Sequence, residues 1–251
     1  MEPEALFSEL ALARIVYVGE THDDAAHHAL QALVLRESAA RRPVFLGLEM
    51  LDVTRQGDLD AYLSGRLGEA EFAELWRKAW GFPFELYRPL LEAARAAGVP
   101  VRALNAPSDI VRQVARAGLA SLSPEQRRLL PDEIRPISDP RYLAWVRRAL
   151  NQHGPLDPER EARALEAMAV WNETMAESVL EGLRSGRSAV VAVGMGHVLY
   201  RAGIAESVRS RACVPQSVLL PYAAGNEGPS DEERAQADYF WLLPAPPGAS
   251  S

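Results

Sequence analysis

The chain predicts an α/β fold: a mostly parallel sheet flanked by helices, with an all-helical lobe inserted into it. Three observations carry that prediction. Short apolar runs rich in β-branched residues recur along the 251 residues; helical stretches alternate with them; and between residues 107 and 184 the strand-like runs cease. Hydrophobic residues make up 48% of the sequence, enough for a sizeable core.

The predicted strands, in order, are "RIVYVG" from Arg14, "VFLGLEM" from Val44, "VPVRALN" from Val99, "AVVAVG" from Ala189, "SVLLPY" from Ser217 and "DYFWLLP" from Asp238. Between the first two, Asp24 to Ala40 places Leu30, Leu33, Val34 and Leu35 on helical spacing above a basic end at Arg41 and Arg42, which makes a βαβ unit. From Pro107 to Leu183 helices follow one another. They are broken at "SLSPEQ", "RPISDP" and "QHGPLDPE" by proline turns that offer serine or aspartate caps. The last of these helices runs from about Pro158 to Arg184. The expected organisation is a sheet domain of residues 1–106 and 185–244, a helical lobe of 107–184, and a disordered tail of 245–251 within "PAPPGASS".

The net charge of −7 excludes a general nucleic-acid binder, which needs a basic face. Cys213 is the single cysteine, so neither a disulfide framework nor a cysteine-based zinc cluster is expected. No apolar run reaches membrane-spanning length. The opening residues hold neither a signal-peptide pattern nor a lipobox cysteine, and the expected location is cytoplasmic.

Ligands of open parallel sheets bind beyond the carboxyl ends of the strands, where loops and helix N-termini converge. Gly19, Glu20 and His22 follow the first strand, Glu49 and Met50 end the second, Asn105 ends the third, and Gly194, Gly196 and His197 follow the fourth. All therefore fall at one edge. If the first two strands are adjacent, Glu20 and Glu49 are neighbours, and such a pair needs a proton, a cation or a histidine to relieve its repulsion. His27 and His28 are consecutive, about 100° apart on a helix, so at most one faces the site. His28 also stands one turn from Asp24, and His153 reads as a loop residue. Tyr87 and Arg88, near a helix start, offer a phenolate or an anion contact; Met175 and Asn172 share a helix face.

The segments "GETHDDAAHHALQ", "FLGLEML", "WGFPFELYRPLLEAARAAGVPVRALNAP", "VWNETMAESV" and "VAVGMGHV" run in order from Gly19 to Val198. In them the chain resembles the ChaN-like haem-binding uptake family, whose wider superfamily includes erythromycin esterases and Tiki-type metalloproteases. The resemblance implies a sheet with a helical lobe, a site at the strand ends, and association with haem or iron. In the esterase and protease relatives the positions matching Glu20, His22, Glu49 and His197 are catalytic.

Two functions compete. One is haem or iron binding, with ligands drawn from His22, Tyr87, Arg88, Asn105, Met175 and His197. The other is hydrolysis, in which Glu20, His22, Glu49 and His197 chelate a divalent ion (Zn, Mn or Fe) or a histidine acts as base without metal. No "GxSxG" nucleophile motif is present, so a serine mechanism is not expected. The expected partner is a small molecule or haem, with a homodimer as the expected form of any assembly.

Overall fold

A computed structural model describes residues 1–152, 154–223 and 228–243; His153 and the tail 245–251 lie outside the described residues. Six strands, β1 (Ile15–Glu20), β2 (Val44–Asp52), β3 (Val101–Asn105), β4 (Ser188–Gly194), β5 (Gln216–Ala223) and β6 (Tyr239–Leu243), pair in the order β3-β2-β4-β1-β5-β6. Every pairing is parallel. All six predicted runs form strands. Their order differs from the adjacency considered for the first two, because β4 lies between β1 and β2.

Alternate residues of each central strand serve opposite faces. Val16, Val18, Leu46, Leu48, Val190 and Ala192 point to one core. Ile15, Tyr17, Phe45, Val191 and Val193 point to the other. Burial on both faces explains why β1 and β4 read as unbroken apolar runs.

The helices are α1 (Pro3–Leu10), α2 (Ala25–Arg41), α3 (Gln56–Leu63), α4 (Glu69–Trp80), α5 (Phe84–Ala96), α6 (Ser108–Ala117), the single turn α7 (Pro124–Arg127), α8 (Pro140–Leu150), α9 (Pro158–Leu183), α10 (Ile204–Arg209) and the single turn α11 (Asp231–Arg234). The proline turns act as read: Ser123, Asp139 and Asp157 cap α7, α8 and α9, each accepting a backbone N–H of the first turn. Between β3 and β4 the regular elements are all helical.

α9 bridges two environments. Its first half packs Ala167 and Val170 against Ile110, Val111 and Val114 of α6. Its second half lies on the sheet, where Ser178 donates to the Leu104 carbonyl at 3.0 Å. There a Cβ on Gly182 would stand 2.3 Å from the Phe45 ring, so only glycine permits this approach. Among the described residues no helix is long and apolar enough to cross a membrane.

Candidate functional site

The register of β1 on β4 sets Glu20 level with Gly194, and β2 flanks β4 on the other side. Gly194 therefore stands between two carboxylates, with two histidines on Glu20 and one on Glu49. Glu20 is buried; its Oε1 lies 2.7 Å from His22 Nδ1, and its Oε2 lies 3.2 Å from His28 Nδ1. Glu49 is buried as well; its Oε1 lies 3.2 Å from His197 Nε2, while Oε2 accepts the Gly194 N–H. The repulsion foreseen between neighbouring carboxylates is thus relieved by histidines and by the intervening strand. Among the described residues no three or more His, Cys, Asp or Glu side chains are grouped to hold a metal ion.

Second partners fix both pairs. Tyr87 donates to Glu20 Oε1 at 3.2 Å and accepts from Trp80 Nε1 at 3.0 Å. Asn172 Oδ1 stands 2.8 Å from His197 Nδ1, and its Nδ2 donates to the Tyr142 hydroxyl at 3.3 Å. Tyr142 in turn donates to the Gly196 carbonyl at 2.8 Å, tying α8 to the loop that carries His197. Asn105 donates to the Glu49 backbone carbonyl at 2.9 Å, beside a register shift between Leu48 and Asp52 that re-aims the end of β2.

The electrostatics follow from these contacts. Burial alone raises the Glu49 pKa, but the His197 charge and hydrogen bond, the His22 charge and the Gly194 N–H together hold it below the usual carboxylate range. Burial pulls His22 down, yet its hydrogen bond to Glu20 and the charges of Glu49, Glu20 and Asp23 leave it raised. Burial, with Glu20 beside it, pushes the Tyr87 hydroxyl far up and disfavours its phenolate.

In front of the two pairs a cavity of about 410 Å³ opens between the sheet edge and the helices. His22, Glu49, Asn105 and His197 line it, with Trp80, Phe82 and Trp171 as aromatic walls. Glu20 stands behind His22, and Tyr87 behind Glu20. Two other sequence candidates lie elsewhere. Arg88 pairs with Glu69 at 2.9 Å on the outside of α5, and Met175 is fully buried in the core between α9 and the sheet. Of the consecutive histidines, His28 turns inward to Glu20, while His27 accepts the Thr21 N–H through Nδ1 and pairs with Asp24.

The model of the family described as "Haem-binding uptake, Tiki superfamily, ChaN" matches residues 6–208. The chain belongs to this family. The structure of cofacial heme binding to ChaN of Campylobacter jejuni superposes with a TM-score of 0.71 at 16% identity, over 96% of this chain and 91% of that one. The type III effector HopBA1 shares the fold at a TM-score of 0.58 and 13% identity, covering 96% and 91% of the two chains. RETICULATA-RELATED 5, chloroplastic, of Arabidopsis thaliana is 25% identical over 270 residues; these take in 98% of this chain but only 36% of that protein.

In this ChaN-family chain, sequence reasoning missed several residues at the site: His28 as a partner of Glu20, Asn172 and Tyr142 as supports of His197, and Trp80, Phe82 and Trp171 as cavity walls. Only the aromatic density from Trp80 onward hinted at the walls, and buried cores give the same signal.

Proposed function

We propose that this ChaN-family chain binds haem in the strand-end cavity, where His22 would hold the iron through Nε2. One observation carries the reading. His22 is oriented through Nδ1 by Glu20, while its Nε2 has no hydrogen-bond partner among the described residues, and the ring is about one-third exposed in the cavity wall. A histidine ligand backed by a carboxylate is the arrangement that fixes the tautomer and raises ligand basicity.

The remaining residues sort by fit. His197 is engaged at both ring nitrogens, Tyr87 is enclosed and kept as a phenol, and Met175 is core. Aromatic walls would suit a macrocycle, and among the described residues no Lys or Arg of the lining would pair with a propionate inside the cavity. The iron, when bound, supplies an acceptor for the His22 lone pair. Glu20 holds the imidazole through Nδ1, and Tyr87 and His28 in turn hold Glu20 and the His22 backbone carbonyl.

Haemin titration tests this. Wild type develops a shifted Soret band, Tyr87→Phe retains it, and His22→Ala loses it and regains it with added imidazole. An unshifted spectrum in wild type, or an unchanged one in His22→Ala, refutes the proposal.

A second reading rests on the raised basicity of His22: the Glu20–His22 pair is equipped to take a proton from a water in the cavity. Ester or peptide turnover abolished by His22→Ala supports it, and a fold-intact wild type inert across such a panel refutes it.

A further inference from the structure

We propose that the same cavity binds an organic cation, an alkylammonium group carried on an apolar body. The inference rests on the strand-end site of the haem reading and is independent of haem itself. Trp80 and Phe82, with ring centroids 5.9 Å apart, form one wall beside His22, and Trp171 stands beside His197 at 5.8 Å. All three rings are half-buried and lie along the cavity rather than in a closed core.

Asp52 supplies the counter-charge. Its Oδ1 accepts both the backbone N–H and the hydroxyl of Thr54, while Oδ2 has no hydrogen-bond partner among the described residues, and the residue lines the cavity. Glu49, by contrast, already spends both oxygens on His197 and Gly194. Among the described residues no Lys or Arg lines the cavity, and the chain carries a net charge of −7.

Each ligand class meets this lining differently. An anion would face two carboxylates with only histidines to offset them. A neutral apolar molecule would gain from the walls and nothing from Asp52. A quaternary or protonated amine gains from both, because the faces of Trp and Phe rings attract cations and a carboxylate completes the box.

Choline and its neutral carbon isostere, 3,3-dimethylbutan-1-ol, are the probes, measured by calorimetry on the full chain at low and high salt. Choline is expected to bind about tenfold tighter than the isostere. Asp52→Asn, which retains the oxygen that caps Thr54, should remove most of that ratio, and Phe82→Leu should lower it while the fold melts as wild type. Equal binding of the two probes, or no choline binding, overturns the inference. Haemin titration of the same proteins keeps the two proposals apart. Lost choline preference with a retained Soret shift overturns this inference alone, whereas choline preference without a Soret shift supports it and refutes the haem reading.

Discussion

Gly194→Ala probes the point where both carboxylate–histidine pairs meet. A Cβ there would stand 2.7 Å from His22 Cε1 and 3.3 Å from Glu49 Oε2. Gly194 has φ −57° and ψ 132°, a conformation open to alanine, so the cost is steric and not backbone strain. Regaining an ordinary contact of 3.4 Å moves the imidazole by about 0.7 Å, at the expense of its bond to Glu20. Overpacking of this kind costs about 1–3 kcal/mol, against which the stiffer unfolded chain returns about 0.5 kcal/mol. The net loss of about 1–2 kcal/mol lowers the melting temperature by roughly 4 °C for a chain of this size. If His22 holds haem as proposed, displacing it from its orienting carboxylate weakens haemin binding about tenfold. Denaturant melts and haemin titration read the two effects. Gly57→Ala is the control: among the described residues nothing lies within 4 Å of where its methyl would stand, so the fold should be unchanged or firmer. Wild-type stability in Gly194→Ala refutes the packing argument, and wild-type haemin affinity refutes the link to His22.

Glu49→Gln leaves His197 beside a neutral amide and should cost about 3 kcal/mol at neutral pH, the usual scale for breaking a buried pair. Because the Glu49 pKa is depressed on folding, its contribution is present above the ordinary value near 4.3 and is lost as pH falls through the folded value. The gap between wild type and variant should therefore close in acid melts, and a gap constant down to pH 3 would contradict the sign. Tyr142→Phe removes the bond to Gly196 and orphans Asn172 Nδ2, for a loss of about 1–2 kcal/mol in urea unfolding; a neutral substitution would mean α8 does not brace the His197 loop. Gly182→Val drives a side chain into the Phe45 ring and should cost about 3 kcal/mol or prevent folding, and a soluble, wild-type-like melt would dismiss the close approach of α9.

The strands β1 and β4 were legible because burial on both faces writes them as continuous apolar runs, and the caps at Ser123, Asp139 and Asp157 because each acts on its own next turn. Strand order was not legible. Nothing local in "AVVAVG" says that it enters between two strands from the first fifth of the chain. The same limit governed the site. Glu20 and His22 are two residues apart and share a strand end, so their pairing is local, whereas Glu49 meets a histidine 148 positions later. Residue type alone made Tyr87 and Met175 candidate ligands. Their complete burial, one beneath Glu20 and the other against the sheet, is a tertiary fact that helical spacing does not carry.

The place of β4 has a consequence for how the molecule is made. β1 and β2 leave the ribosome early, yet each waits for a shared neighbour that ends at Gly194. Until then the two strands have no native reason to lie side by side, and the edges that will receive β4 are unpaired. Sheet closure over so long a loop makes folding slow, and the exposed edges make the nascent chain prone to wrong pairings. The Glu49–His197 pair is completed only by this late event, since β4 delivers Gly194 to Glu49 and His197 follows directly after it, whereas Glu20 meets His22 and His28 locally. Synthesis thus leaves the strand-end cavity, with Trp171 and His197 in its wall, unformed until the crossover that ends in α9 has been traversed.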